Sequence, residues 1–122
     1  MRLRAAALTT GVLVASCGGS PSAPDPTPSN PNTVTISASG VSPKEMTVAP
    51  GTRVLFVNTD ARPHDMASDP HPEHDNCREL NLGTLNPGQS RESLNLVNVR
   101  TCGFHDHDNP DSASLQGRIV VK

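Results

Sequence analysis

Ala49-Pro50-Gly51-Thr52-Arg53-Val54-Leu55-Phe56-Val57-Asn58-Thr59-Asp60-Ala61-Arg62-Pro63-His64-Asp65-Met66 is the stretch whose reading decides the fold. Pro50-Gly51 is a turn signal, because proline presets the first turn dihedral and glycine accepts the left-handed one that follows. Thr52–Asn58 is β-branched, apolar and short, as a central strand requires. Before the turn, Met46 and Val48 alternate with polar neighbours, so the segment predicts strand, turn, strand. Thr33–Ala38 alternates as well, with Val34, Ile36 and Ala38 on one face. Downstream, Leu85 precedes a second Pro-Gly pair at 87–88, and Leu94, Leu96 and Asn98 alternate after it. Gly117–Val121 closes the chain with an apolar run that predicts a strand buried on both sides. Short strands at this spacing predict an all-β sandwich.

Composition agrees. With 12 prolines and 9 glycines among 122 residues, the chain suits turns and strands better than helix interiors. Aromatics make up 2%, so Phe56 and Phe104 are the only large rings and the core must rest on Val, Leu, Ile and Met. A net charge of -2 argues against a nucleic-acid partner.

The N-terminal segment reads as an address. Arg2 and Arg4 precede the apolar stretch Ala5–Ala15, the layout of a secretory signal too short to span a bilayer. Val14-Ala15-Ser16-Cys17 resembles the lipobox of bacterial lipoproteins, which implies a signal peptide over residues 1–16 and diacylation of Cys17. Such a chain is exported and held at a membrane surface by its acyl groups, facing the periplasm or the cell exterior. Residues 17–32 hold five prolines among small polar residues, a tether reaching up to roughly 40 Å. The folded domain is expected over residues 33–122.

Two stretches break the strand pattern, Thr59–Glu79 and Phe104–Ser114, and they hold all five histidines: His64, His71, His74, His105 and His107. Imidazole is a preferred ligand for copper and zinc, and loops set side by side by strands are where such ligands converge. In Phe104-His105-Asp106-His107 the two histidines project to one side of an extended backbone. His71 and His74 sit among Asp69, Glu73 and Asp75, where they either recruit metal or belong to a solvated acidic loop. Met66 is a candidate soft ligand, Met46 a core residue, and Asp65 and Asp106 candidates for orienting imidazoles.

Taken in order, APGTRVLFVNTDARPHDM, LNPGQSRESLNL, TCGFHDH and LQGRIVVK resemble the cupredoxin superfamily over nearly all of residues 33–122. The resemblance implies a Greek-key β-sandwich with two long functional loops, and copper as cofactor, with zinc the alternative. It implies His64 as first ligand, Cys102 at the thiolate position and His105 three residues on, with His107 an extra or substitute ligand. The usual methionine before the last glycine is missing, and Leu115 stands in that neighbourhood. That departure shifts weight from electron transfer toward metal handling.

Cys102 carries two competing assignments. With Cys17 lipidated, Cys77 and Cys102 form an even pair in an oxidising compartment, which favours a disulfide. The resemblance instead makes Cys102 a copper thiolate and leaves Cys77 free. With the disulfide, the ligand set reduces to His64, His105 and His107, an open three-imidazole site suited to copper or zinc. The sequence thus reads first as an envelope-anchored copper-binding protein for metal handling or electron transfer, with an envelope metal or redox protein as possible partner. A copper or zinc enzyme is the second reading, although no general base or substrate pocket is evident. A metal-free envelope binding module is the third.

Overall fold

The computed structural model describes residues 30–122. The expected signal peptide, Cys17 and most of the tether lie outside the described residues. Two mixed sheets face one another. One contains β1 (Thr33–Ser37), β2 (Gly40–Ser42), β4 (Leu55–Asn58) and β7 (Ser90–Glu92) in the order β2-β1-β4-β7. The other contains β3 (Glu45–Val48), β5 (His64–Ser68), β6 (Gly83–Leu85), β8 (Arg100–Asp106) and β9 (Gly117–Val121) in the order β3-β9-β8-β5-β6. The pairs β1/β4 and β3/β9 run parallel and the remaining pairs antiparallel.

The core lies between the sheets. Val34, Ile36 and Phe56 face Met66, Phe104 and Ile119, all at most 1% exposed. With few large side chains available, Phe56 and Phe104 meet edge to face at 5.2 Å, an arrangement worth about 1 kcal/mol beyond the area it buries. The Cys77–Cys102 disulfide lies in this core and closes a separation of 25 residues.

Several expectations need correction. The loop expected from Thr59 to Glu79 contains β5, whose polar residues hide its alternation because both faces of the strand are covered. The second expected loop starts late, since β8 continues through His105 and Asp106 before the chain turns. The strand expected at Leu94–Asn98 is replaced by β7; Leu94 is 65% exposed, and only Leu96 bridges to Thr52. β4 begins at Leu55 rather than Thr52, the Val54 N–H donating to the Ser93 hydroxyl at 3.0 Å instead of to a strand. β9 is buried on one face only, through Ile119 and Val121, while Arg118 is exposed.

The register of β5 and β8 sets up the site. Met66 pairs with Asp106, Ala67 with His105 and Ser68 with Phe104. Since Met66 and Phe104 point into the core, strand alternation puts His64 and Asp106 on the inner face and His105 with Gly103 on the outer one. His105 is nevertheless only 2% exposed, because the segment after β5 folds back over it.

Candidate metal centre

That covering segment runs from Asp69 to Asn76, and side-chain and backbone contacts pin it down. The Asp69 N–H donates to the Gly103 carbonyl at 3.0 Å, and the Asn76 N–H donates back to the Asp69 carbonyl at 3.1 Å. Cys77 follows at once, so the disulfide fastens the strap to β8 three residues before His105. His74 takes a left-handed backbone with φ of 52°, a conformation costing a non-glycine residue about 1 kcal/mol or more. Three hydrogen bonds hold it there: its N–H to the Pro70 carbonyl at 2.7 Å, its ring Nδ1 to the Ser68 carbonyl at 2.7 Å, and its carbonyl accepting from Asn81 Nδ2 at 2.8 Å.

The strap thereby delivers His71 and His74 onto His105 and His107. Each of these four residues offers a ligand atom, and all four atoms lie within 4.8 Å of one another. Nitrogens on opposite sides of one ion stand about 4.2 Å apart at a metal–nitrogen distance of about 2.1 Å, so the widest pair must close by well under 1 Å. His71 and His107 are exposed, His74 is half-buried and His105 buried, so the group forms a shallow face with one deep member.

Hydrogen bonding leaves the right lone pairs free. Asp69 Oδ1 lies 2.6 Å from His105 Nδ1. A carboxylate only accepts, so Nδ1 carries the proton and Nε2 keeps its lone pair. That Nε2 is buried without any hydrogen-bond partner. A buried polar atom left unpaired costs about 1–3 kcal/mol, and a bound cation removes that cost. His74 repeats the logic, because the Ser68 carbonyl holds its Nδ1 proton and Nε2 faces the cluster. This is the arrangement in which a second hydrogen bond orients a metal-binding imidazole and raises its basicity. His74 Nε2 and His107 Nδ1 stand 2.8 Å apart and share a proton in the metal-free protein, a proton that an ion bound by both nitrogens would displace. The donor set therefore fits a metal.

Charge points the same way. The pKa of His71 is lowered from the ordinary histidine value, first by partial loss of hydration and then by the imidazoles of His107, His74 and His105, with Asp111 opposing. Neutral imidazole is the ligating form. Beside the cluster an open trough of about 470 Å³ is lined by Asp65, Glu73, His74 and His107. Its carboxylates draw cations and repel anions.

The sequence-derived ligands divide accordingly. His105 and His107 are brought together, and the strap adds His71 and His74, for which the sequence left a solvated-loop reading open. Their one sequence signal was crowding, all five histidines lying within two stretches, of which four converge when those stretches fold against each other. His64 does not join them. Its Nδ1 lies 2.7 Å from Asp106 Oδ2 and its Nε2 2.9 Å from Asp60 Oδ2, so both nitrogens are taken by buried carboxylates. Cys102 provides no thiolate, its sulfur being bonded to Cys77. Met66 is fully buried in the core.

No protein-family model matches the sequence, and no curated protein matches it. Solved structures do. A purple cupredoxin from Nitrosopumilus maritimus is 21% identical, with a TM-score of 0.60 over 74% of this chain and 98% of that one. A mutant plastocyanin of fern is 22% identical, with a TM-score of 0.57 over 74% and 99%. An amicyanin variant solved in its Cu(I) form is 22% identical, with a TM-score of 0.55 over 74% and 80%. The described residues adopt the cupredoxin fold, as the sequence resemblance implied.

Proposed function

We propose that this cupredoxin-fold chain is an exported, lipid-anchored copper-handling protein that binds the ion through His71, His74, His105 and His107. The observation that carries the reading is the unpartnered, buried Nε2 of His105 aimed into three further imidazoles. Copper is favoured over zinc because divalent copper outranks zinc at nitrogen sites of this kind. The structural neighbours include an amicyanin variant in a Cu(I) form, which supports the same metal.

Handling is favoured over electron transfer because the ligand set holds neither thiolate nor thioether and two of its four members are exposed. A bound copper ion would supply a borderline Lewis-acid centre that prefers nitrogen donors in its divalent state. The protein's own part is to keep His105 and His74 in the ligating tautomer and to gather cations along the Asp65–Glu73 trough. Anchoring at Cys17 rests on the lipobox resemblance and would station the site at the cell envelope.

Copper titration of the purified chain, followed by visible and electron paramagnetic resonance spectroscopy, tests the proposal. One ion per chain is expected, coupled to several nitrogens and without an intense thiolate-to-copper band; His105→Ala should abolish tight binding. Absence of stoichiometric binding, tighter binding of zinc than of copper, or a strong thiolate band would count against it.

A further inference from the structure

We infer that His64 is a positioning residue of the four-histidine centre, locking Asp106 and through it the turn that carries His107; the inference rests on the metal-binding reading above. His64 stands on the inner face of β5, two residues from the core side chain of Met66, and is 1% exposed. Its two ring nitrogens link carboxylates from different parts of the chain, Asp60 after β4 and Asp106 at the end of β8.

Asp106 is fully buried and lies between two of the ligands in sequence. Its Oδ1 accepts the N–H of Asp108 at 3.0 Å and that of Asp65 at 3.3 Å, while its Oδ2 takes His64 and, at 3.4 Å, Asn109 Nδ2. The Asp106 carbonyl accepts the Asn109 N–H at 3.0 Å, and the His107 N–H donates to the Asp65 carbonyl at 2.7 Å. One carboxylate therefore both ends the strand and shapes the turn that presents His107. The shortest bond to it from another part of the chain comes from His64. At the other end, Asp60 is fixed by accepting the Ala61 N–H at 2.7 Å and by donating its own N–H to Asn58 Oδ1 at 2.9 Å. A continuous polar chain thus runs from β4 across β5 to the ligand turn, through the interior rather than over the surface.

Two conservative variants separate this role from a general contribution to folding. An asparagine amide nitrogen falls where Nδ1 stands, so His64→Asn keeps the bond to Asp106 and gives up Asp60. A glutamine amide nitrogen falls where Nε2 stands, so His64→Gln keeps Asp60 and gives up Asp106. Copper affinity is expected to fall about 10-fold in His64→Gln, the low end of the effect of losing an outer-sphere partner because His64 acts through Asp106, and to stay within about threefold in His64→Asn. Both variants should keep the wild-type number of copper-coupled nitrogens. In the metal-free chain, His64→Gln should speed amide exchange at His107 and Asp108, and His64→Asn should not.

Loss of one coupled nitrogen in either variant would make His64 a ligand and overturn the inference. Equal affinity and equal exchange in both variants would overturn it too, reducing His64 to a structural residue. If the wild-type chain binds no copper the metal-binding reading fails, and the exchange comparison still decides whether His64 holds the turn.

Discussion

Replacing Gly103 by alanine should weaken copper binding while leaving the fold standing. Gly103 lies on the outer face of β8, two residues before His105, directly beneath Asp69. A β-carbon added there would stand 3.0 Å from Asp69 Cγ and overlap Oδ2, so the carboxylate must move. It can do so at little cost to the fold, because its side chain is 47% exposed and has water to turn into. The strand itself gains, since alanine loses less backbone freedom than glycine on folding, a difference of about 0.5–1 kcal/mol. His105 bears the loss: without Asp69 at 2.6 Å from Nδ1, nothing fixes the proton on that nitrogen. Loss of such an outer partner costs about 10- to 100-fold in metal affinity, equivalent to about 1.4–2.8 kcal/mol. Competition titration against a chelator measures the affinity, and urea unfolding of the metal-free protein measures the fold. Gly103→Ala should shift the first by one to two decades and the second by less than about 1 kcal/mol. Unchanged affinity would show that Asp69 does not set the state of His105, and the ligand assignment built on that tautomer would fall with it.

Two further outcomes concern the strap and the buried Asp60–His64 pair. Replacing Cys77 and Cys102 together by alanine should cost about 3.5 kcal/mol of stability by the loop-closure estimate for a 25-residue separation, read as a lower urea midpoint. Copper affinity should fall with it because His71 and His74 lose their mooring to β8; intact affinity in the folded double variant would show that the strap is held by its hydrogen bonds alone. Acid should destabilise the metal-free protein in two windows. His71 has a lowered folded-state pKa, so the unfolded chain binds the proton first, and stability drops as pH falls below the ordinary histidine value of 6.5. Asp60 is also lowered, chiefly by its hydrogen bond to His64, so its contribution is present above the ordinary value of 3.8 and is lost as pH falls further. Urea midpoints measured between pH 8 and pH 3 should show both steps, and a midpoint that rises between pH 7 and pH 5.5 would contradict the first.

What the sequence disclosed and what it hid have a common cause. Strands with one face in the core and one in water announce themselves by alternation, and β1 and β3 were legible for that reason, whereas β9 was read from its apolar run. β5 and the end of β8 were not, because both of their faces are covered, the inner one partly by a polar chain of His64, Asp60 and Asp106, the outer one by the strap. The same double coverage separates the histidines. Strand alternation sends His64 inward and His105 outward, so no ion can take both, and the Pro-His-Asp signal that resembled a ligand instead marks the support beneath the ligand turn. Two partners of His105, His71 and His74, come from a segment held both by hydrogen bonds and by the Cys77–Cys102 bond, a contact between residues 25 apart that spacing alone leaves undecided. The disulfide that takes up the Cys102 thiolate also helps moor His71 and His74 above His105. On the proposed reading, loss of one ligand type and gain of another follow in part from the same bond.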